Sequence, residues 1–115
     1  MEATLSITVG TTADDHQIVK FKGEFDKAGH SDIKDALDSC VKAFDGKNLV
    51  FDFADLKFIN SEGIGYLMEI HSHLSKLGKS LVIVGANAHI KDVFQTIGLK
   101  DVIPVHKDLV SFLNR

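Results

Sequence analysis

A short stretch near the middle of the chain carries the residues best suited to chemistry. Phe58–Gly65 reads FINSEGIG, which places a hydroxyl and two glycines where a predicted strand passes into a predicted helix. A helix N-terminus offers unpaired N–H groups and a positive dipole end to anions, and ligands of open α/β sheets bind at the carboxyl ends of strands. Ser61 therefore stands where an anion would bind. The alternative is that Asn60 or Ser61 only caps the helix, while Gly63 and Gly65 allow close packing.

Other patterns of reactive residues are weaker. The chain has six histidines, but His71 and His73 are two apart and point to different sides of a helix, unlike an i, i+4 ligand pair. A serine hydrolase elbow needs a glycine two residues to each side of the nucleophile, and Ile59 occupies the first of those places before Ser61. The two glycines after Ser61 lack the third glycine of a dinucleotide fingerprint, and no segment has the full Gly-x4-Gly-Lys-Ser/Thr pattern of a phosphate loop. We expect no catalytic residue, no metal and no cofactor.

Composition limits the class of protein. The chain has 115 residues, of which 44% are apolar and 25% charged, so we expect one globular domain over residues 1–115. Cys40 is the only cysteine, which excludes an internal disulfide and fits a reducing cytosol. The net charge of -3 argues against nucleic acid. The longest apolar run, Leu81–Val84, is too short for a membrane, and Met1–Gly10 lacks the pattern of a signal peptide. We predict a cytoplasmic protein.

Alternation of apolar and polar residues predicts the strands that position Ser61. A first strand from Leu5 ends near Gly10, a polar turn follows over 10–15, and Gln17–Gly23 forms its hairpin partner. Leu49–Phe53 is predicted as a third strand, with a short connection over 54–60 before the next helix. Leu81–Val84 is apolar throughout, as in a central strand covered on both faces. Val102–Val105 contains Pro104 and is predicted at an edge.

Helical spacing of apolar residues predicts four helices. The first starts at Ser31 and Asp32, stops at Gly46 and carries Cys40 on its apolar stripe. A second helix ends with Gly78 in the C′ position, a third runs from an Asn87 cap to Gly98, and residues 107–113 add a short last helix. The apolar face of the second helix comprises Ile64, Leu67, Met68, His71, Leu74 and Leu77.

The predicted element order is β-β-α-β-α-β-α-β-α. Strands that alternate with helices after an opening hairpin predict an α/β fold, with a mixed, mostly parallel sheet, right-handed crossovers and helices packed on the sheet. We find no internal repeat, low-complexity tract or linker in the chain.

Three segments share a pattern with one known family. Val50–Gly65 reads VFDFADLKFINSEGIG, similar to a strand, an Asp-Leu turn, an apolar pair and then Asp-Ser-Ser/Ala-Gly-Leu-Gly. Gly23–Asp26 reads GEFD and resembles Gly-x-Leu-Asp after a second strand, and Val93–Leu99 ends in Gly-Leu like a family third helix. The likeness covers nearly the whole chain in the same order. By these segments the chain resembles STAS domains, specifically the bacterial anti-sigma factor antagonists.

The resemblance implies a STAS-type fold and a binding protein rather than an enzyme. It aligns Ser61 with the family's phosphoacceptor serine, which a partner serine kinase phosphorylates and a PP2C-type phosphatase restores. Unphosphorylated, such a protein binds an anti-sigma factor that has serine kinase activity, and so frees a sigma factor. This chain departs from the family pattern at Asn60, at Glu62, and at Gly29 and His30. The expected docking surface comprises Asn60, Glu62, Gly63 and Asp26, with apolar contacts from Phe25 and Ile64.

Two other functions are consistent with the same sequence. A stand-alone STAS protein could scaffold another signalling or transport assembly without ever being phosphorylated. An enzyme or a small-ligand receptor could instead use the anion-friendly helix start, and nucleotide or phosphate binding by the purified protein would favour it.

Overall fold

The computed structural model describes residues 3–11 and 16–114, and its elements follow the predicted order. Part of the predicted turn over 10–15 lies outside the described residues. The elements are β1 (Leu5–Thr11), β2 (His16–Phe25), α1 (Lys27–Ala43), β3 (Asn48–Ile59), α2 (Ser61–Lys76), β4 (Ser80–Val84), α3 (Ala88–Ile97), a 3-10 turn (Leu99–Asp101), β5 (Val105–His106) and α4 (Leu109–Leu113).

The strands of the described part of the chain form one sheet in the order β1-β2-β3-β4-β5. β1 pairs with β2 as an antiparallel hairpin, and the other neighbours run parallel. β4 lies between β3 and β5, and the short β5 forms the edge. The mixed, mostly parallel α/β sheet predicted from the sequence is confirmed.

Helices cover the two faces of the sheet unequally. One face packs against α1, α2 and α3, whose buried residues join a core that includes Phe21, Phe51 and Phe53. The opposite face carries a smaller cluster, in which Phe112 of α4 packs on Ile18 and its neighbours. No helix among the described residues is both long enough and apolar enough to cross a bilayer.

Two strands are longer than predicted. β2 does not stop at Gly23 but continues to Phe25, and β3 runs to Ile59, so that the predicted connection over 54–60 is mostly strand. The pairing of β2 with β3 shifts register twice, between Lys20 and Lys22 and between Gly23 and Glu24. Each shift inserts one extra residue into β3, which interrupts the two-residue alternation by which a strand is recognised.

The start of α1 corrects a second prediction. The helix begins at Lys27 rather than near Ser31, because the side chain of Asp26 caps it. Asp32 lies inside the helix, where its carboxylate accepts hydrogen bonds from the backbone N–H groups of Thr4 and Leu5 at 2.7 and 3.3 Å. The helix ends at Ala43, three residues before Gly46.

The buried face of α2 is rotated from the predicted one. Leu67 and Leu74 are buried as expected, but Tyr66 and Ile70 complete the face. Tyr66 turns toward α1, where its hydroxyl finds a hydrogen-bond partner. Leu77 is 55% exposed because it lies at the C-cap. Cys40 is half-buried and packs at the margin of the core, so its predicted burial is only partial.

Candidate functional site

The N-termini of α1 and α2 meet where β2 and β3 end side by side. Phe25 and Ile59 are partners in the parallel register, and the backbone N–H of Asn60 donates to the Phe25 carbonyl oxygen at 3.1 Å. Both helices are then capped by the next residue. The Asp26 side chain accepts from Gly29 N at 2.8 Å, and Asn60 Oδ1 accepts from Glu62 N at 3.0 Å and Gly63 N at 3.4 Å. The cap of α2 is therefore Asn60, not Ser61.

Two glycines let these helix starts approach the end of β2. A Cβ at Gly29 would overlap the carbonyl oxygen of Glu24. A Cβ at Gly63 would lie 2.7 Å from the Phe25 carbonyl oxygen, 2.8 Å from Ile59 Cγ1 and 2.9 Å from Phe25 Cδ1. Real Cβ atoms do not approach neighbours this closely without displacing them. The sequence thus repeats one local solution, a capping residue followed three positions later by a glycine, at both helix starts.

Ser61 is the first residue of α2 and is exposed beside a cleft of about 250 Å³. The cleft lies between the first turn of α1 and the N-terminal half of α2, and a Cβ added at Gly65 would meet no atom within 4 Å. Ser61 is thus exposed at the surface and borders open space. The residues that line the cleft are His30, Ser61, Glu62, Gly65, Tyr66 and Glu69.

Tyr66 links the two helices behind the cleft. Its hydroxyl donates a hydrogen bond to Asp38 of α1, and Asp38 also pairs with Lys34 Nζ at 2.9 Å. Burial, together with the nearby Asp38 carboxylate, raises the pKa of Tyr66. The hydrogen bond from Tyr66, followed by the contacts with Lys34, lowers the pKa of Asp38. The network holds a neutral phenol and a charged carboxylate between α1 and α2.

His30 closes the other side of the cleft. Its ring lies 4.2 Å from the Tyr66 ring, measured between centroids, at an interplanar angle of 49°. Within the described part of the chain, His30 Nε2 is the one buried side-chain polar atom that has no hydrogen-bond partner.

The predicted docking residues divide into exposed and supporting positions. Glu62 is exposed, and Asn60, Asp26 and Ile64 are half-buried at the surface of the site. Gly63 is buried against β2.

Phe25 corrects the predicted surface, since its side chain is 0% exposed and cannot provide the apolar contact expected of it. It belongs to the core, where its ring stacks on that of Phe21 at 5.7 Å between centroids. Phe25 therefore supports the site from behind.

Sequence reasoning missed Tyr66 and Gly29 as parts of the site. The repeated spacing of capping residue and glycine could have identified Gly29. Nothing in the local sequence signals Tyr66, because its partner Asp38 lies 28 residues away.

Metal ligands are not gathered at this site. Among residues 3–11 and 16–114, no group of three His, Cys, Asp or Glu side chains is arranged to hold a metal ion.

Comparison with known proteins identifies the fold. The STAS domain model matches residues 9–111 of the chain. The anti-sigma-B factor antagonist of Listeria monocytogenes is 25% identical over 101 residues, which cover 88% of each chain. The crystal structure of an anti-sigma factor antagonist from Mycobacterium paratuberculosis has 20% identity and a TM-score of 0.85, covering 99% of this chain and 95% of that one. Phosphorylated SpoIIAA of Bacillus has 15% identity and a TM-score of 0.70, covering 95% and 98%.

Proposed function

The chain belongs to the STAS domain family, and from that membership we propose that it is an anti-sigma factor antagonist switched by phosphorylation of Ser61. In its unphosphorylated form it binds an anti-sigma factor that is also a serine kinase, and this binding frees a sigma factor in the cytoplasm. The protein is then a binding module and a kinase substrate, not an enzyme. One observation carries the proposal: an exposed serine opens α2 at the point where two capped helix starts meet.

Phosphorylation changes the charge of this surface. The kinase transfers the γ-phosphoryl group of ATP to Ser61 Oγ: the new O–P bond forms, the bond to ADP breaks, and the hydroxyl proton passes to solvent. The product adds about -1.5 to -2 charges and three acceptor oxygens. It lies at the positive end of α2, where an anion is stabilised by about 0.3–1 kcal/mol. A PP2C-type phosphatase restores the hydroxyl.

The phosphoryl group weakens binding of the partner rather than the fold. Glu62 is exposed next to Ser61, and Glu69 lines the same cleft. Adding a dianion to these two carboxylates makes a strongly negative patch, and like charges at an interface cost on the order of several kcal/mol. A partner that docks on Asn60, Glu62, Asp26 and Ile64 while Ser61 is neutral would have to cover this added charge. Because about 1.4 kcal/mol is a factor of ten in affinity, a penalty of several kcal/mol is enough to release it.

The first test is phosphorylation itself. Incubation with ATP and a serine kinase encoded beside this gene should add one phosphate, and peptide mapping should place it on Ser61. Ser61→Ala should block the addition. The matched control is Ser75→Ala, because Ser75 is an exposed serine in the same helix but within its regular turns, and this variant should be phosphorylated at the wild-type rate. Phosphorylation that persists in Ser61→Ala would contradict the proposal.

The second test is binding to the same kinase. Ser61→Ala should bind within about tenfold of the wild type, since a neutral hydrogen bond contributes about 0.5–1.5 kcal/mol. Ser61→Asp should bind more weakly, and raised salt should partly restore its affinity because screening acts within about 8–10 Å. Equal affinities of the two variants at every salt concentration would favour the scaffold function instead.

A further inference from the structure

His30 differs in kind from the other residues of the Ser61 cleft. Of the six lining residues, two are the carboxylates Glu62 and Glu69, and only His30 can carry a positive charge. It lies in the first turn of α1, across the cleft from the first turn of α2, and its ring rests against Tyr66. A group attached to Ser61 therefore shares a cleft with one imidazole and two carboxylates.

One ring nitrogen of His30 makes no hydrogen bond while Ser61 is unmodified. A neutral imidazole has one donor and one acceptor nitrogen, so a buried Nε2 can remain as an unprotonated acceptor. An imidazolium donates from both nitrogens, and a buried charged N–H without an acceptor is far more costly. His30 Nε2 is buried and has no partner, so the ring has an unused nitrogen with which an acceptor entering the cleft can pair.

We propose that His30 is the intramolecular counter-charge of phosphorylated Ser61. Addition of the phosphoryl group supplies three acceptor oxygens to the cleft, the imidazole takes up one proton from solvent, and the imidazolium holds the phosphate between α1 and α2. A half-turn about χ2 exchanges ring nitrogens with ring carbons, so either edge of the imidazole can present a donor. This inference rests on the proposed phosphorylation of Ser61, and it adds a pH-dependent element to that switch.

The charged groups around the cleft reinforce this pairing. The second ionisation of the added phosphate falls near pH 6, so the phosphate's own charge reports a neighbouring cation as the pH is changed. The carboxylates of Glu62 and Glu69 favour a cation between them but repel the phosphate. The His30 imidazolium therefore offsets this repulsion and holds the phosphate inside the cleft. The charged or titratable residues around the cleft are Asp26 and Lys27 at the start of α1, Lys34, Asp35 and Asp38 further along α1, and Glu62, Tyr66 and Glu69 on α2.

The pairing can be measured without any kinase. Phosphoserine is incorporated at position 61 during translation, and the second ionisation of the phosphate is followed by ³¹P NMR as a function of pH. A neighbouring imidazolium favours the dianion, so the ionisation midpoint of the wild type should lie about 1 pH unit below that of His30→Gln, a coupling of about tenfold. His89→Gln is the matched control, because His89 stacks on Phe58 and does not line the cleft; its curve should match the wild type.

A second variant at position 30 separates the loss of the imidazole charge from the loss of ring packing. His30→Phe keeps an aromatic ring against Tyr66 but cannot be charged, and its ³¹P curve should match that of His30→Gln. Curves of the wild type and both variants that superimpose would overturn the role of His30, even where the kinase phosphorylates Ser61. A kinase that ignores Ser61 would instead overturn the proposed function, and the NMR comparison would still show whether the cleft pairs a phosphate with His30.

Discussion

Replacing Gly63 with alanine tests whether direct contact with the end of β2 holds the start of α2. The new Cβ would lie 2.7 Å from the Phe25 carbonyl oxygen and 2.8 and 2.9 Å from carbons of Ile59 and Phe25. None of these atoms can withdraw easily. The carbonyl already accepts a hydrogen bond from Asn60 N, and both side chains are buried in the core. Overpacking of this kind costs about 1–3 kcal/mol.

A matched variant separates this steric cost from helix propensity. Alanine is favoured over glycine inside a helix by up to about 1 kcal/mol, and both Gly63 and Gly65 lie in α2. At Gly65 a Cβ meets nothing within 4 Å, so Gly65→Ala should gain stability from helix propensity without any steric cost. Because the propensity gain is common to both variants, the difference between their free energies of unfolding isolates the steric cost. We expect Gly63→Ala to be less stable than Gly65→Ala by about 1–3 kcal/mol.

Urea unfolding followed by circular dichroism measures this difference. The two variants should differ in the midpoint of unfolding while their m-values stay equal, since both expose the same surface on unfolding. Equal midpoints would show that the Phe25 carbonyl can move away at little cost, and the close approach would then not explain why glycine stands at this position.

Three further changes test the network, the cap and the core. Tyr66→Phe should lower the free energy of unfolding by about 1 kcal/mol at neutral pH. Because the Tyr66 hydrogen bond lowers the pKa of Asp38, this loss should be complete well above pH 3.8, the ordinary pKa of Asp, and should vanish as the pH falls through the pKa of Asp38 in the folded state. A loss in urea titrations that does not change with pH would contradict this reasoning. Asn60→Asp should leave the melting temperature nearly unchanged, whereas Asn60→Ala should cost about 1 kcal/mol by calorimetry; an Asn60→Ala variant as stable as the wild type would mean that the cap contributes nothing. Leu67→Ala should cost about 2–5 kcal/mol, while the exposed Leu77→Ala should change the free energy of unfolding by less than about 0.5 kcal/mol, and similar losses would place the wrong face of α2 in the core.

Local patterns predicted the element order but not the full length of β3. Its first half follows the expected apolar strand, whereas its buried residues toward the end, Phe53, Leu56 and Ile59, are three apart. That spacing arises because β2 and β3 slip by one residue at two places. Register between strands is set by the partner strand, so a period-two search of one strand alone could not recover it.

The site shows the same division between local and tertiary information. The Asn87 cap of α3 and the start of α2 near Ser61 were predicted because their capping residues precede clear apolar stripes. The start of α1 at Lys27 was missed because the apolar stripe begins only at Ile33, and Ser31 is a nearer capping residue to it than Asp26. Gly29 is tolerated there because the helix packs on the Glu24 carbonyl, a contact that exists only after the fold has formed.

The assignment of the α2 cap bears on how a phosphoryl group at Ser61 could act. The side chain of Asn60 accepts the hydrogen bonds that cap α2, so modification of Ser61 removes none of them. The dipole of α2 offers an anion at its start about 0.3–1 kcal/mol, whereas repulsion at a docked surface costs on the order of several kcal/mol. Phosphorylation should therefore change partner affinity far more than it changes the free energy of unfolding. Under the proposed function, separating the cap from the phosphorylated residue in this way would let one serine alter the docking surface without destabilising the fold.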